Sequence, residues 1–233
     1  STFTGLIEAR HGWLAPATDY LNHVLGPERL EKYLSAFQRV GPDVVQTARV
    51  TSFHFEPVMQ ARWWPFYEAV LANYDIAAAG PFTLLWTRRA VARGSVVDSA
   101  LGTWSVPDDD RAMVVPCPAA SAFLLEANYT FGSALPLPMA ESLRRTVLWI
   151  ATPAHRRAVA LGEKEHTAQV PVMGSRLNGE CRIWLQRAPF LPARRLSPLT
   201  VTLRPLDIDR STAQLLLDES APQTIIRRRL AKP

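Results

Sequence analysis

The chain has 233 residues, 48% hydrophobic and 20% charged, with a formal net charge of +5. That is enough apolar material for a sizeable core, in one large domain or two small ones, and it argues against wholesale disorder. No apolar run approaches the roughly 20 residues that span a bilayer, and no basic stretch followed by an apolar one opens the chain as a secretory signal would.

The first helix is predicted after Gly26-Pro27. Pro27 suits the first helical position, Leu30, Tyr33, Leu34 and Phe37 repeat at helical spacing, and Gly41-Pro42 ends the run. Residues 45–55 mix β-branched and aromatic residues and read as a strand. A second helix is predicted over 57–74, interrupted at Pro65, with Phe66, Val70 and Tyr74 on one face. Residues 81–87 read as a buried strand. Residues 96–106 and 112–115 read as strands flanking the acidic turn at Pro107-Asp108-Asp109-Asp110, and 121–127 is open between strand and helix.

Pro136–Pro138 reads as a linker. Beyond it a helix is predicted over 139–151, with Leu143, Val147 and Ile150 inward, and another from Ala154 to about Lys164. Strands are expected at 169–173, 181–186, 199–203 and 214–217. There is no internal repeat and no regular strand–helix alternation, so the expected class is α+β. Its predicted layout is a helix-rich N-terminal part, 1–138, and a strand-rich basic C-terminal part, 139–233.

Charge divides the chain at nearly the same place. Residues 1–140 carry 10 Arg/Lys against 13 Asp/Glu, a balance of −3; residues 141–233 carry 16 against 8, a balance of +8. Twenty-three of the cations are arginine and three are lysine. Codon bias raises arginine everywhere, but it should act on both parts alike. A basic segment on a near-neutral globule points to a polyanionic partner, and guanidinium pairs bidentately with phosphate and stacks on bases.

Where a strand runs through 181–187, Arg182, Trp184 and Gln186 share one face and Ile183, Leu185 and Arg187 the other. Arginine beside tryptophan is a combination that holds single-stranded nucleic acid; the competing reading packs Trp184 into the core. Arg144, Arg145, Arg156, Arg157, Arg187, Arg194 and Arg195 are the other candidate backbone contacts. Arg156 and Arg157 would sit at a helix N-terminus, a favourable place for phosphate. His155 beside them has the residue type for acid–base chemistry on RNA. The expected partners are nucleic acid, RNA favoured, and other subunits of a larger complex such as a ribonucleoprotein.

Chemical motifs are sparse. There is no phosphate-binding loop, no Gly-x-Gly-x-x-Gly and no His-Glu-x-x-His, so no cofactor and no metal are expected. One pattern, His54-Phe55-Glu56 with His166 and Arg176, resembles the His-x-Asp/Glu…His…Arg arrangement of iron/2-oxoglutarate oxygenases. The resemblance implies an iron face from His54, Glu56 and His166 and a co-substrate contact from Arg176. Here glutamate replaces the commoner aspartate, and the residues before His166 are not an apolar strand. A protein-interaction scaffold presenting Trp63-Trp64 and the proline-rich segments is a third reading. Cys117 and Cys181 fit neither a disulfide framework nor a zinc site. Cys117 is expected to be a buried thiol, and the setting reducing and cytoplasmic.

Overall fold

The computed structural model describes residues 27–51, 56–93, 100–107, 109, 111–131, 146–161, 166–187, 196–218 and 226–227. The class is α+β with antiparallel sheets, and strand far outweighs helix. The first helix, α1 (Pro27–Val40), turns Phe37 inward and half-buries Leu30, Tyr33 and Leu34. It ends at Gly41, whose φ of 52° favours glycine and where a Cβ would lie 2.5 Å from the Arg88 guanidinium. That guanidinium donates to the Gly41 carbonyl at 2.8 Å, tying the helix end to the neighbouring sheet.

The second predicted helix is two, α2 (Glu56–Arg62) and α3 (Trp64–Asn73), divided at Trp63 with Pro65 in the first turn of α3. Strands β1 (Val44–Ala48), β2 (Tyr74–Ala79) and β3 (Thr83–Arg88) form a sheet in the order β1-β3-β2, and β12 (Ile226–Arg227) pairs with β2. This sheet and the helices enclose one core around Trp64, Phe66, Val70, Tyr74, Leu84 and Trp86. Strand β3 is buried on one face only: Leu84 and Trp86 point in, Leu85 points out, and Phe82 before it is 62% exposed. The expectation of a wholly buried strand over 81–87 was therefore half right.

The remaining strands make a sandwich. They are β4 (Gly102–Ser105), β5 (Met113–Cys117), β6 (Ala122–Phe131), β7 (Thr146–Ala151), β8 (Arg156–Leu161), β9 (Thr167–Met173), β10 (Gly179–Arg187) and β11 (Leu196–Pro205). One sheet runs β4-β11-β6-β9 and the other β5-β10-β7-β8. Counted along these eight strands, the first sheet holds the first, eighth, third and sixth, and the second holds the second, seventh, fourth and fifth. That order is the jelly roll, two interlocked Greek keys closed face to face. Its core is built from alternate residues of both sheets, among them Phe123, Leu125, Leu148, Ile150, Val170, Val172, Ile183, Leu185, Val201 and Leu203.

Several expected elements change type. Residues 146–151 and 156–161, expected as helices, are the β7–β8 hairpin. Residues 214–217, expected as a strand, end the helix α4 (Arg210–Leu217), whose N-cap Asp209 accepts from the Thr212 N–H at 2.9 Å. The N-terminal part is not helix-rich, since β1 to β6 all precede residue 132. The linker at Pro136–Pro138 lies outside the described residues. Both sandwich sheets take strands from each side of it, so the charge step does not separate two cores.

The cysteines are also corrected. Cys117 on β5 and Cys181 on β10 form a disulfide across neighbouring strands, both ends buried. Disulfides persist where thiols are oxidised, so the ground for a reducing, cytoplasmic setting is gone. No helix among the described residues is long and apolar enough to cross a membrane. A bridge closing a loop across 64 residues is worth roughly 2–4 kcal/mol through the unfolded chain. Reductant, or the double change Cys117→Ala/Cys181→Ala, is expected to lower the unfolding free energy from urea titration by that amount, seen as a lower urea midpoint. An unchanged midpoint in reductant would show that the sulfurs are not bridged.

Candidate nucleic-acid interface

Strand β10 lies between β5 and β7, and β7 between β10 and β8. On β10 the inward residues Cys181, Ile183 and Leu185 are fully buried, so Arg182, Trp184 and Gln186 face out. On β7, Leu148 and Ile150 go inward and Val147, Trp149 and Ala151 outward. The register places these side chains in three rows across the outer face. The first is Val114, Arg182, Ala151 and Arg156; the second is Trp184, Trp149 and Ala158; the third is Gln186, Val147 and Ala160.

Trp149 and Trp184 are directly opposite each other, with ring planes 6° apart and centroids 5.8 Å apart. The Arg156 guanidinium carbon lies 4.0 Å from the Trp149 centroid and 5.0 Å from that of Trp184. One cation thus covers two parallel indoles. The Trp149 indole N–H donates to Gln186 Oε1 at 2.8 Å. The small side chains of Ala151, Ala158 and Ala160 leave the indoles standing above their surroundings, and both rings are half-buried. The two readings of Trp184 resolve toward the surface.

The structure brings together Arg156, Arg182 and Trp184 of the residues expected from sequence, and adds Trp149, which sequence reasoning had assigned to a helix. A visible signal for Trp149 was the short, mostly apolar run Thr146–Ala151, with β-branched residues at Thr146, Val147 and Ile150.

Arg157 is corrected. It is 3% exposed on the inner side of β8 and donates to the Leu217 carbonyl at 2.6 Å, a cation at the C-terminal end of α4. No helix N-terminus exists at 154–157 to hold phosphate, because Thr152 and His155 close a hairpin turn with backbone bonds of 2.8 and 3.4 Å. Thr152 Oγ1 secures that turn, accepting from the His155 N–H at 3.0 Å and donating to the Met173 carbonyl at 2.6 Å.

Arg187 closes β10 opposite Thr146, and its side chain lies outside the described part. Arg144, Arg145, Arg194 and Arg195 lie outside the described residues. So does His54. Glu56 opens α2, His166 is exposed at the start of β9, and Arg176 is exposed between β9 and β10. Among the described residues no three His, Cys, Asp or Glu side chains gather as a metal site.

His155 is partly buried at the hairpin tip. Burial, and then the nearby Arg157 guanidinium, push it from 6.5 down to about 4, with Asp218 pulling weakly the other way. It is therefore neutral where Arg156 and Arg182 are charged, and adds no cation to the outer face. The chain matches no protein-family model, no curated protein and no solved structure.

Trp184→Ala, on the surface, is expected to cost far less stability than Trp86→Ala, which empties a core site and should cost roughly 3–5 kcal/mol; urea titration of the two variants compares them. For His155 the folded chain favours the neutral form, so the unfolded chain takes up the proton first. Its contribution is whole above about pH 6.5 and is lost as pH falls toward 4. His155→Gln should flatten the fall in melting temperature over that window, and an identical profile would show that His155 is not held neutral.

Proposed function

We propose that this chain binds single-stranded nucleic acid, RNA in preference, as a subunit of a larger assembly, using the outer face of the β5-β10-β7-β8 sheet. The observation that carries the reading is the pair of parallel indoles under one guanidinium, with a second guanidinium, Arg182, in the adjoining row. Indole faces stack on any base and guanidinium meets phosphate, so both halves of a nucleotide find a partner on one surface.

Arg156 occupies the indole faces in the absence of ligand, so a base must displace it. An exposed cation–π contact is worth about 0.5–1 kcal/mol, whereas stacking of a base on an aromatic side chain contributes about 1–3 kcal/mol. Exchange is favourable, and it releases the guanidinium to a phosphate next to the stacked base. Ligand binding thus replaces one internal contact with two external ones.

The fold does not choose this function by itself, since jelly rolls serve capsid, lectin and cupin domains alike. An iron-oxygenase site would need His54, Glu56 and His166 together; His54 and the Glu56 side chain lie outside the described part, and among the described residues no three His, Cys, Asp or Glu gather as a metal site. A shell or coat subunit that contacts nucleic acid joins the jelly-roll scaffold, the arginine excess and the exposed Arg/Trp face in one reading. The scaffold reading that presents Trp63-Trp64 is not met, because both are buried at 4% and 0% exposure; a scaffold on the outer aromatic face instead would lack the salt dependence that phosphate contacts impose.

Binding to a single-stranded RNA oligomer should weaken linearly on a log–log plot against salt. Each phosphate contact contributes about 0.7 to the slope for single strands, so Arg156→Ala/Arg182→Ala should lower the slope by about 1.4. Indole fluorescence should be quenched on binding, and Trp149→Ala should remove most of that signal without unfolding the protein. Salt-independent binding, or none at low salt, would overturn the proposal.

A further inference from the structure

A strand at the edge of a sheet presents unpaired N–H and C=O groups, and folded chains blunt such edges with proline, an inward charge or a very short strand. Among the described residues six strands lie at edges: β1 and β12 of the first sheet, and β4, β9, β5 and β8 of the sandwich. β5 carries Pro116 and β9 carries Pro171. β8 turns Arg157 inward, β4 has only four residues and β12 two. β1, Val44-Val45-Gln46-Thr47-Ala48, has five residues, a continuous register, no proline and no charge. Of these six, β1 alone is left without such a device.

Its backbone shows which groups face the open edge. The Arg88 N–H donates to the Asp43 carbonyl and the Arg49 N–H to the Phe82 carbonyl, each at 2.9 Å. With the antiparallel register, these bonds assign the odd residues 43 to 49 to the ladder with β3. Val44, Gln46 and Ala48 therefore aim their N–H and C=O groups away from it. The side chains of Val45 and Thr47 are buried, while Val44 and Gln46 are exposed, with exposed Leu85 next to Gln46 on β3.

We propose that β1 pairs with β1 of a second copy of this chain, antiparallel about a two-fold axis at Gln46. This goes beyond the nucleic-acid reading and does not depend on it. Gln46 then lies opposite the partner's Gln46, and Val44 opposite the partner's Ala48, so every edge-facing group of both strands is satisfied. Val45 meets the partner's Thr47 on the core side, which keeps the buried face of each sheet buried. No like charges meet: β1 is uncharged, and Asp43 comes level with the partner's Arg49, opposite in sign. Five residues of strand bury less than a standard interface. The contact is weak alone and gains strength where other contacts of an assembly hold the copies together.

The test is sedimentation equilibrium of the full chain from about 10 μM to about 1 mM, over which the mass should rise from monomer toward dimer. Gln46→Lys sets two ammonium groups opposite each other, and Gln46→Glu two carboxylates. Each variant alone should associate about tenfold more weakly, and an equimolar mixture should recover association as a mixed dimer. Gln46 is exposed, so an unchanged melting temperature confirms that both variants are folded. Amide hydrogen exchange gives a second readout: Val44, Gln46 and Ala48 should slow as concentration rises, while Val45 and Thr47 are slow throughout.

A chain that stays monomeric to about 1 mM would overturn the proposal. So would association that Gln46→Lys leaves unchanged, or a mixture no tighter than its components. Edge amides equally protected at every concentration would mean that a segment of the same chain covers β1, and would overturn it as well. β1 and β10 lie in different sheets, so none of these results bears on RNA binding by the aromatic face.

Discussion

The one constraint on which this surface depends is the two-residue period of a strand buried on one side. In β10 the odd positions 181, 183 and 185 are fully buried in the sandwich core, which forces 182, 184 and 186 outward. A slip of one residue would drive Arg182 and Gln186 into an apolar core and put Ile183 and Leu185 in water. Neither exchange is tolerable, so the core fixes the surface. The Cys117–Cys181 bridge adds a covalent check, because it forms only when Cys181, opposite Val115 of β5, faces inward. This outer face is thus a by-product of a register that hydrophobic burial already demands.

The tryptophans show how burial and exposure divide one residue type. Trp64 and Trp86 are enclosed, and Trp86 satisfies its N–H on Thr47 at 2.9 Å inside the core. Trp149 and Trp184 have small outward neighbours and a polar rim. Two large rings kept on a surface give up part of the transfer free energy that burial would supply. Their mutual stacking and the Arg156 contact offset some of that loss, and they hold both rings in a defined orientation. A preorganised pair has less side-chain entropy left to lose on binding.

The sequence made some of this legible and obscured the rest for physical reasons. α1 could be read because its stripe, Pro27 and Gly41 all agree. β10 could be read because Ile183 and Leu185 alternate with polar residues. The β7–β8 hairpin was missed because Leu143, Val147 and Ile150 also fit helical spacing, and periodicity alone does not separate a short apolar strand from a helix. The α4 helix was missed for a related reason: Leu215-Leu216-Leu217 looks like a strand, whereas its decisive signal, Asp209 three residues before Thr212, is a cap outside the apolar run. The site was half visible for the same cause. Arg182 and Trp184 lie on a strand that was recognised, and Trp149 lies on one that was not.

A charge count along a sequence also overstates the charge a folded surface can offer. In the basic last third, Arg157 is turned inward onto the end of α4, Arg204 is paired with Glu126 at 2.6 Å, and Arg210 donates to the backbone carbonyl of Gly174. Those three stabilise the fold and are not available to a partner without breaking it. Of that third's described arginines, Arg156, Arg176 and Arg182 remain exposed, and of these Arg156 and Arg182 adjoin the indoles. The +8 balance therefore describes composition, while the chemistry of the face rests on two guanidiniums held beside two aromatic rings. A weak net field with a well-shaped contact surface favours recognition at short range over long-range attraction.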